Sequence, residues 1–166
     1  MPRGFRFLLA ALVVFATFGA LPAIARAGDL DSEIELLRSD LKSGKVDLIG
    51  QALHPDSAQA AKFWPVYRAY QLELDKIGDK RVAMIKDYAA NFDKMTPEKA
   101  KDLVKQALDQ QSARTSLLKK YYPQFEKTIG SIEAAKLIQI ENMVMNLVDL
   151  QIQSELPLVQ KPTAKQ

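Results

Sequence analysis

Hydrophobic and polar positions alternate with helical spacing along most of the chain, from about residue 30 to residue 155. Apolar residues recur in steps of three and four, which places them on one face of a helix. The pattern predicts an all-α protein with a first helix from about Leu30 to Leu53, broken or bent at Ser43-Gly44. Three further helices are predicted to end near Lys94, Thr128 and Glu155, where turn residues interrupt the pattern.

The predicted fourth helix is apolar around most of its circumference. Its polar residues fall on one narrow row, which consists of Gln139, Asn142, Asn146, Asp149 and Gln153. Such a helix is buried on several sides, and the three other helices of one chain are too thin to cover it. The predicted second helix would be on the order of 60 Å long. The prediction is therefore an elongated antiparallel four-helix arrangement that forms a homodimer.

Two charged residues lie on apolar faces of predicted helices. Arg114 lies on the stripe of the third helix, and Glu141 lies among apolar residues of the fourth. Because a buried unpaired charge is costly, we predict that the two form a structural ion pair. The alternative is that each side chain reaches water at an edge. Arg81 occupies a similar position on the second helix and has no obvious partner in the sequence.

A group of large apolar side chains continues the face of the second helix towards its end: Met84, Ile85, Tyr88 and Phe92. If the first helix leaves this end uncovered, these four residues are a candidate binding site for an apolar segment of another polypeptide. The alternative is that they pack as core beneath the third helix. Their spacing alone is compatible with both interpretations.

The first 27 residues have the features of an export signal. Arg3 and Arg6 precede a long uncharged run, and small residues follow in the A-x-A spacing that signal peptidase requires. We predict cleavage after Ala27, with Ala25 as the second choice. An uncleaved membrane anchor is the alternative, because the run reaches the length of a membrane span. The predicted organisation is a signal peptide at 1–27, a helical domain at 28–157 and a disordered tail at 158–166.

Composition narrows the classes of function. The predicted signal carries three Arg and no acidic residue, so the net charge of +3 falls to zero in the mature chain. A mature chain without net charge does not attract nucleic acid or anionic membranes electrostatically. Stable membrane insertion after cleavage is not expected. The chain has no Cys and one His, His54, beside a proline at a turn. No motif for catalysis, metal or cofactor binding is present, so we expect a non-enzymatic protein without metal or cofactor.

Several short segments together resemble the Spy/CpxP-like periplasmic family, which carries two copies of an L-T-x-x-Q motif. The segments that carry the resemblance are Phe63–Tyr67, Leu53-His54-Pro55, Met95-Thr96-Pro97 and Leu137–Asn142. The sequence departs from the motif: His54 and Met95 replace Thr and Leu, and Ser57 and Lys99 stand where the family has Gln. These departures indicate a divergent branch.

The resemblance implies a cradle-shaped homodimer in the periplasm of a Gram-negative cell. It further implies an ATP-independent chaperone or stress-response protein that binds non-native polypeptides. A regulatory module that tunes an envelope stress sensor is the second hypothesis, and a metal-responsive protein is the third. Metal-sensing relatives use His, Cys or acidic clusters that this sequence mostly lacks, which disfavours the third hypothesis.

Overall fold

The computed structural model describes the backbone of residues 27–159 and the side chains of residues 35–159. Within these bounds the protein is all-helical, as predicted. The α-helices are α1 (Ala27–Leu53), α2 (Ser57–Asn91), α3 (Pro97–Ile129) and α4 (Ser131–Glu155), and a 3-10 helix at Phe92–Lys94 follows α2. Apart from Ala27, the predicted signal peptide lies outside the described residues. Most of the predicted tail lies outside them as well, so both remain predictions.

Contacts divide the chain into two units, residues 1–42 and 43–166, and the boundary falls within α1. In the described part of the first unit, Leu36, Leu37 and Leu41 are exposed. Arg38 donates a hydrogen bond of 2.9 Å to the carboxylate of Glu35, one helical turn away. The packing described below belongs to the second unit.

The predicted break in the first helix is wrong, because α1 continues without interruption through Ser43-Gly44. A glycine inside a helix costs roughly 0.5–1 kcal/mol relative to alanine, which packing can offset. Lys45, Ile49 and Leu53 follow at steps of four residues, and all three are buried against the rest of the second unit. Tertiary packing of this row outweighs the local preference for a break.

Polar caps define the starts of α2 and α3. Asp56 accepts a hydrogen bond of 2.8 Å from the Gln59 amide, and the Gln59 side chain accepts one from the Asp56 amide, which completes a capping box. Thr96 caps α3 by accepting a hydrogen bond of 3.1 Å from the Lys99 amide. Pro97 occupies the first turn of α3, where its missing N–H is not needed.

Gly130 joins α3 to α4 with a φ of 84°. This left-handed backbone conformation is readily adopted only by glycine. The single connecting residue lets the chain reverse at once, and α4 begins at Ser131. The predicted boundary between the third and fourth helices is confirmed to within a few residues.

Aromatic residues of α2 and α3 form the centre of the core. The Tyr70 ring packs edge-on against Tyr121 and Phe125, with ring centroids 5.6 Å apart in each pair. Phe63 and Tyr67 of α2 and Leu117 and Ile129 of α3 belong to the same buried set. α1 adds Ile49 and Leu53 to it, and α4 adds Ala134 and Leu137. Asp87 near the end of α2 forms an ion pair of 2.8 Å with Lys99 near the start of α3.

Candidate functional site

A buried carboxylate lies where α1, α2 and α4 meet. The Glu141 side chain is fully buried. Tyr67 donates a hydrogen bond of 2.7 Å to Oε1, while Tyr70 and Lys45 Nζ each approach Oε2 to 3.0 Å. We call Lys45, Tyr67, Tyr70 and Glu141 the Glu141 network. It joins three helices through one acidic group.

Each member of the Glu141 network offsets the cost of burying another. A carboxylate removed from water needs an opposite charge and hydrogen-bond donors, and Glu141 has one ammonium and two phenols. The Lys45 ammonium also lies 5.9 Å from the Tyr67 ring centroid, within range of a cation–π interaction. The Tyr67 oxygen in turn accepts a hydrogen bond of 3.1 Å from Gln71. The side-chain oxygen and nitrogen atoms of the network therefore each have at least one hydrogen-bond partner.

Burial and the neighbouring negative charge keep both phenols of the network protonated. Burial is the larger cause that raises the pKa of Tyr67 and of Tyr70, and the charge of Glu141 raises both further. A protonated phenol is the form that can donate to the carboxylate. Because Glu141 is closed off from solvent and its oxygens already accept three hydrogen bonds, the network holds the helices together and does not reach a dissolved substrate.

A second carboxylate, Asp149, lies eight residues after Glu141 on α4 and meets two arginines. Arg114 of α3 donates two hydrogen bonds to it, of 3.0 and 2.7 Å, and Arg81 of α2 donates another. The three side chains are about one-fifth exposed. Burial alone would raise the pKa of Asp149, but the hydrogen bonds and charges of Arg114 and Arg81 outweigh it and hold the pKa below its ordinary value.

These contacts correct the predicted Arg114–Glu141 pair. The structure does not join the two residues: Arg114 pairs with Asp149, and Glu141 pairs with Lys45. Arg81, which had no obvious partner in the sequence, shares Asp149 with Arg114. Sequence reasoning missed Lys45, although its spacing of four and eight residues from Ile49 and Leu53 placed it on their buried row. It placed Asp149 in the narrow polar row of the fourth helix and did not predict its ion pairs.

The predicted client-binding residues are neither free surface nor core. We call Met84, Ile85, Tyr88 and Phe92 the second-helix patch; all four side chains are half-buried. The Tyr88 and Phe92 rings contact each other with centroids 5.7 Å apart. Gln110 of α3 lies 3.7 Å from the Met84 sulfur. The Tyr88 hydroxyl donates a hydrogen bond of 2.6 Å to the carbonyl of Pro157, just beyond α4.

The C-terminal segment adds exposed apolar groups beside Tyr88. Leu158 is 85% exposed and Val159 is 56% exposed, directly after the proline that Tyr88 contacts. The second-helix patch and this segment form a mixed surface that is partly packed and partly open. The sequence suggested the patch but not its continuation beyond α4.

One face of α4 is open and lacks charge. It consists of Gln139, Asn142, Met143, Asn146, Leu147, Leu150 and Gln153, and all seven side chains are exposed. We call these residues the α4 face. The first six line a shallow groove. The polar row predicted on this helix is thus interleaved with apolar side chains that the described part of the chain leaves uncovered.

Neither a metal site nor a membrane span is found in the part of the chain that the structure describes. There, no three His, Cys, Asp or Glu side chains lie together in a way that would hold a metal ion. No described helix has an apolar run long enough to cross a bilayer. His54 is exposed at the turn between α1 and α2, with a positive φ of 41°.

Comparison of the chain with protein-family models, with curated proteins and with solved structures finds no match. The resemblance to the Spy/CpxP-like family therefore rests on the short motifs described above and remains a prediction.

Proposed function

We propose that the protein is an exported, ATP-independent chaperone-like protein that binds non-native polypeptides in the periplasm. The observation that carries the proposal is the mixed surface at the end of α2. There the half-buried second-helix patch adjoins the exposed side chains of Leu158 and Val159. An apolar segment of an unfolded chain gains free energy by covering such a surface.

The proposed surface should bind client polypeptides weakly and reversibly. The second-helix patch is held by partial packing, so the surface exists without a client and needs no nucleotide to form. A client segment buries little apolar surface area when it covers side chains that are already partly packed. Its affinity for the surface should therefore remain modest. The Glu141 network and the ion pairs of Asp149 with Arg114 and Arg81 lie elsewhere on the helices. They can hold the fold while the surface exchanges clients.

The proposed arrangement of the second unit follows the family resemblance, with consecutive helices antiparallel. The order of contacts supports it. Along α2 and α3 the order is reversed, as the Asp87–Lys99 and Tyr70–Tyr121 contacts indicate. Along α2 and α4 it is the same, because Tyr67 meets Glu141 and Arg81 meets Asp149.

Export is supported by the pattern of the first 27 residues alone. Mass spectrometry of protein recovered from the periplasmic fraction should give a chain that starts at Gly28, or at Arg26 if cleavage follows Ala25. An intact chain starting at Met1 and retained in the inner membrane would contradict this part of the proposal.

Function is tested with the purified chain and a thermally aggregating client protein, followed by light scattering without nucleotide and with EDTA. The wild type is expected to suppress aggregation. The double substitution Leu158→Ser and Val159→Ser should weaken suppression without lowering the melting temperature, because both side chains are exposed. Leu72→Ser is the matched control, since Leu72 is 66% exposed on α2 and lies outside the proposed surface.

Tyr88→Ser with Phe92→Ser probes the half-buried part of the same surface. This pair should lower suppression as well, with some loss of stability because the two rings pack on each other. A wild-type chain that suppresses no aggregation contradicts the proposal and favours the regulatory hypothesis. Equal loss of suppression in Leu72→Ser would contradict the site assignment.

A further inference from the structure

The chain leaves α4 with an extended backbone in a defined direction. The Leu156 amide donates a hydrogen bond of 3.2 Å to the Ile152 carbonyl, and the Leu156 backbone has φ and ψ of −86° and 122°. Pro157 follows. A proline favours an extended backbone at the residue before it and cannot continue a helix. The Leu156-Pro157 step therefore sets the path of the C-terminal segment, residues 156–159.

A hydrogen bond fastens the C-terminal segment to α2. The Tyr88 hydroxyl donates it to the Pro157 carbonyl over 2.6 Å. The Tyr88 ring packs edge-on against Phe92, with ring centroids 5.7 Å apart, which helps to hold the donor in place. Because the acceptor is a main-chain carbonyl, the contact fixes the backbone at Pro157 and leaves the side chains that follow unrestrained by it.

Beyond this point the side chains of the C-terminal segment are open. Leu158 is 85% exposed and Val159 is 56% exposed, whereas Leu156, which precedes the contact, is half-buried. The half-buried second-helix patch adjoins the same contact, because Tyr88 belongs to it. Two incompletely covered apolar surfaces thus meet at one hydrogen bond.

We infer that the C-terminal segment is a strap that closes over an apolar client segment lying on the second-helix patch, and that Tyr88 is the positioning residue that fastens it. The inference rests on the proposed chaperone function and adds how the client is held. A client that lies between the patch and the C-terminal segment buries Leu158 and Val159 as well, which favours binding. Rotation about the backbone bonds after Pro157 moves these two side chains, while the hydrogen bond keeps their point of attachment beside the patch.

Two other interpretations of the Tyr88 contact make different predictions. A segment that blocks the surface would pack its own side chains on the patch, but Leu158 and Val159 are exposed. A contact that only closes the end of α4 would contribute to folding stability and not to client binding. Exposed apolar side chains directly after a fixed backbone point favour an open strap.

Tyr88→Phe tests the hydroxyl alone, because the ring and its contact with Phe92 remain. The client is reduced and alkylated α-lactalbumin, which stays unfolded, and fluorescence anisotropy gives its affinity for the full chain, purified as the cell produces it. Tyr88→Phe should raise the dissociation constant about two- to tenfold, the range that one hydrogen bond supplies, and leave the melting temperature unchanged. Tyr122→Phe is the matched control. Tyr122 is also half-buried, and its hydroxyl donates at 3.4 Å to Glu126 of its own helix.

A second genetic background separates positioning from direct contact with the client. In the chain that carries Leu158→Ser and Val159→Ser, Tyr88→Phe should weaken binding no further, because the side chains that it positions are gone. An equal effect in both backgrounds would show that the hydroxyl acts on the client itself, and the inference would be wrong. Tighter client binding by Tyr88→Phe would also overturn it, since the segment would then block the surface.

Movement of the C-terminal segment is measured separately from affinity. The chain contains no cysteine, so a nitroxide attached to Val159→Cys reports the mobility of the segment by electron paramagnetic resonance. Leu72→Cys, at an exposed position of α2, carries the control label. Without client, Tyr88→Phe should make the label at position 159 more mobile. Saturating client should immobilise that label in the chain that keeps Tyr88 and leave the label at position 72 unchanged.

Failure of the inference and failure of the proposed function give different results. A wild-type chain that binds no α-lactalbumin contradicts both. A chain that binds it while the label at position 159 keeps the mobility of the free protein contradicts the strap alone, because the client then lies on the patch uncovered. Equal mobility of that label with and without the Tyr88 hydroxyl would contradict the fastening.

Discussion

The Lys45 ammonium lies 3.0 Å from the Glu141 carboxylate, although the two residues are 96 positions apart and both side chains are buried. This ion pair, with Tyr67 and Tyr70, ties the last part of α1 to α2 and α4. It is a specific polar contact between the last part of α1 and the helices on which that part packs.

Removal of the lysine charge should destabilise the second unit strongly. Lys45→Met keeps most of the side-chain volume but leaves Glu141 without a cation in a buried site, which should cost about 3–5 kcal/mol in the free energy of unfolding. Urea denaturation measures the change. The double variant with Glu141→Gln should recover much of the loss, because the amide oxygen still accepts from Tyr67 or Tyr70.

Lys105→Met is the matched control for this experiment. Lys105 pairs with Asp109 across an exposed helical turn at 3.2 Å, so its loss should change the stability little. If Lys45→Met were as mild as Lys105→Met, the buried network would not hold α1 in place.

Asp149 should make a contribution to stability that depends on pH. Its pKa is lowered in the folded protein by Arg114 and Arg81, so the folded state releases the proton at a lower pH than the unfolded state does. The stabilisation is complete above the unfolded pKa of about 3.9 and is lost as the pH falls through the lower folded pKa.

Comparison with Asp149→Asn isolates this contribution from those of the other carboxylates. The variant should be less stable than the wild type at pH 7, and the difference should shrink as the pH falls below about 4. Thermal denaturation followed by circular dichroism at a series of pH values gives the difference curve. A difference that does not change with pH would show that the Asp149 charge is not the stabilising element.

The phenols of the Glu141 network should resist alkaline ionisation. Burial and the Glu141 charge raise the pKa of Tyr67 and of Tyr70. Stability from these groups is present below the unfolded pKa of about 10 and is lost as the pH rises above it, because only the unfolded chain releases their protons.

A spectrophotometric titration at 295 nm counts these phenols. Of the five tyrosines in the chain, Tyr67 and Tyr70 should ionise only together with unfolding. Tyr70→Phe should reduce the amplitude of that late step. Early, reversible ionisation of Tyr67 and Tyr70 would contradict the buried network.

Replacement of two glycines by alanine should change the stability of the protein in opposite directions. Gly130→Ala forces a side chain into a conformation with φ of 84° and should cost on the order of 1–2 kcal/mol. Gly44→Ala places a methyl group where no other group lies within 4 Å, inside a continuous helix. It should raise stability by roughly 0.5–1 kcal/mol. Chemical denaturation of both variants tests the signs, and stabilisation by Gly130→Ala would contradict the described turn.

Local signals in the sequence determined the helical class and most helix ends. Thr96-Pro97 and Gly130 act through contacts within one turn of the chain, by capping the first amides of a helix or by adopting a backbone that other residues avoid. Such interactions involve residues close together in the sequence, so the sequence shows them without knowledge of which helices pack together. The starts of α3 and α4 could therefore be predicted, whereas the break at Gly44 could not be judged because packing of Lys45 and Ile49 decided it.

Tertiary structure alone decided which charges meet. Arg114 and Glu141 were recognised as residues on apolar faces, but each has a different partner, Asp149 and Lys45 respectively. A sequence shows that a buried charge needs an opposite charge. The choice among candidates depends on how far each helix is rotated and shifted along its neighbour, and a shift of one turn, about 5.4 Å, replaces one partner by another. That offset is set by the packing of aromatic side chains such as Tyr70 and Phe125 across helices.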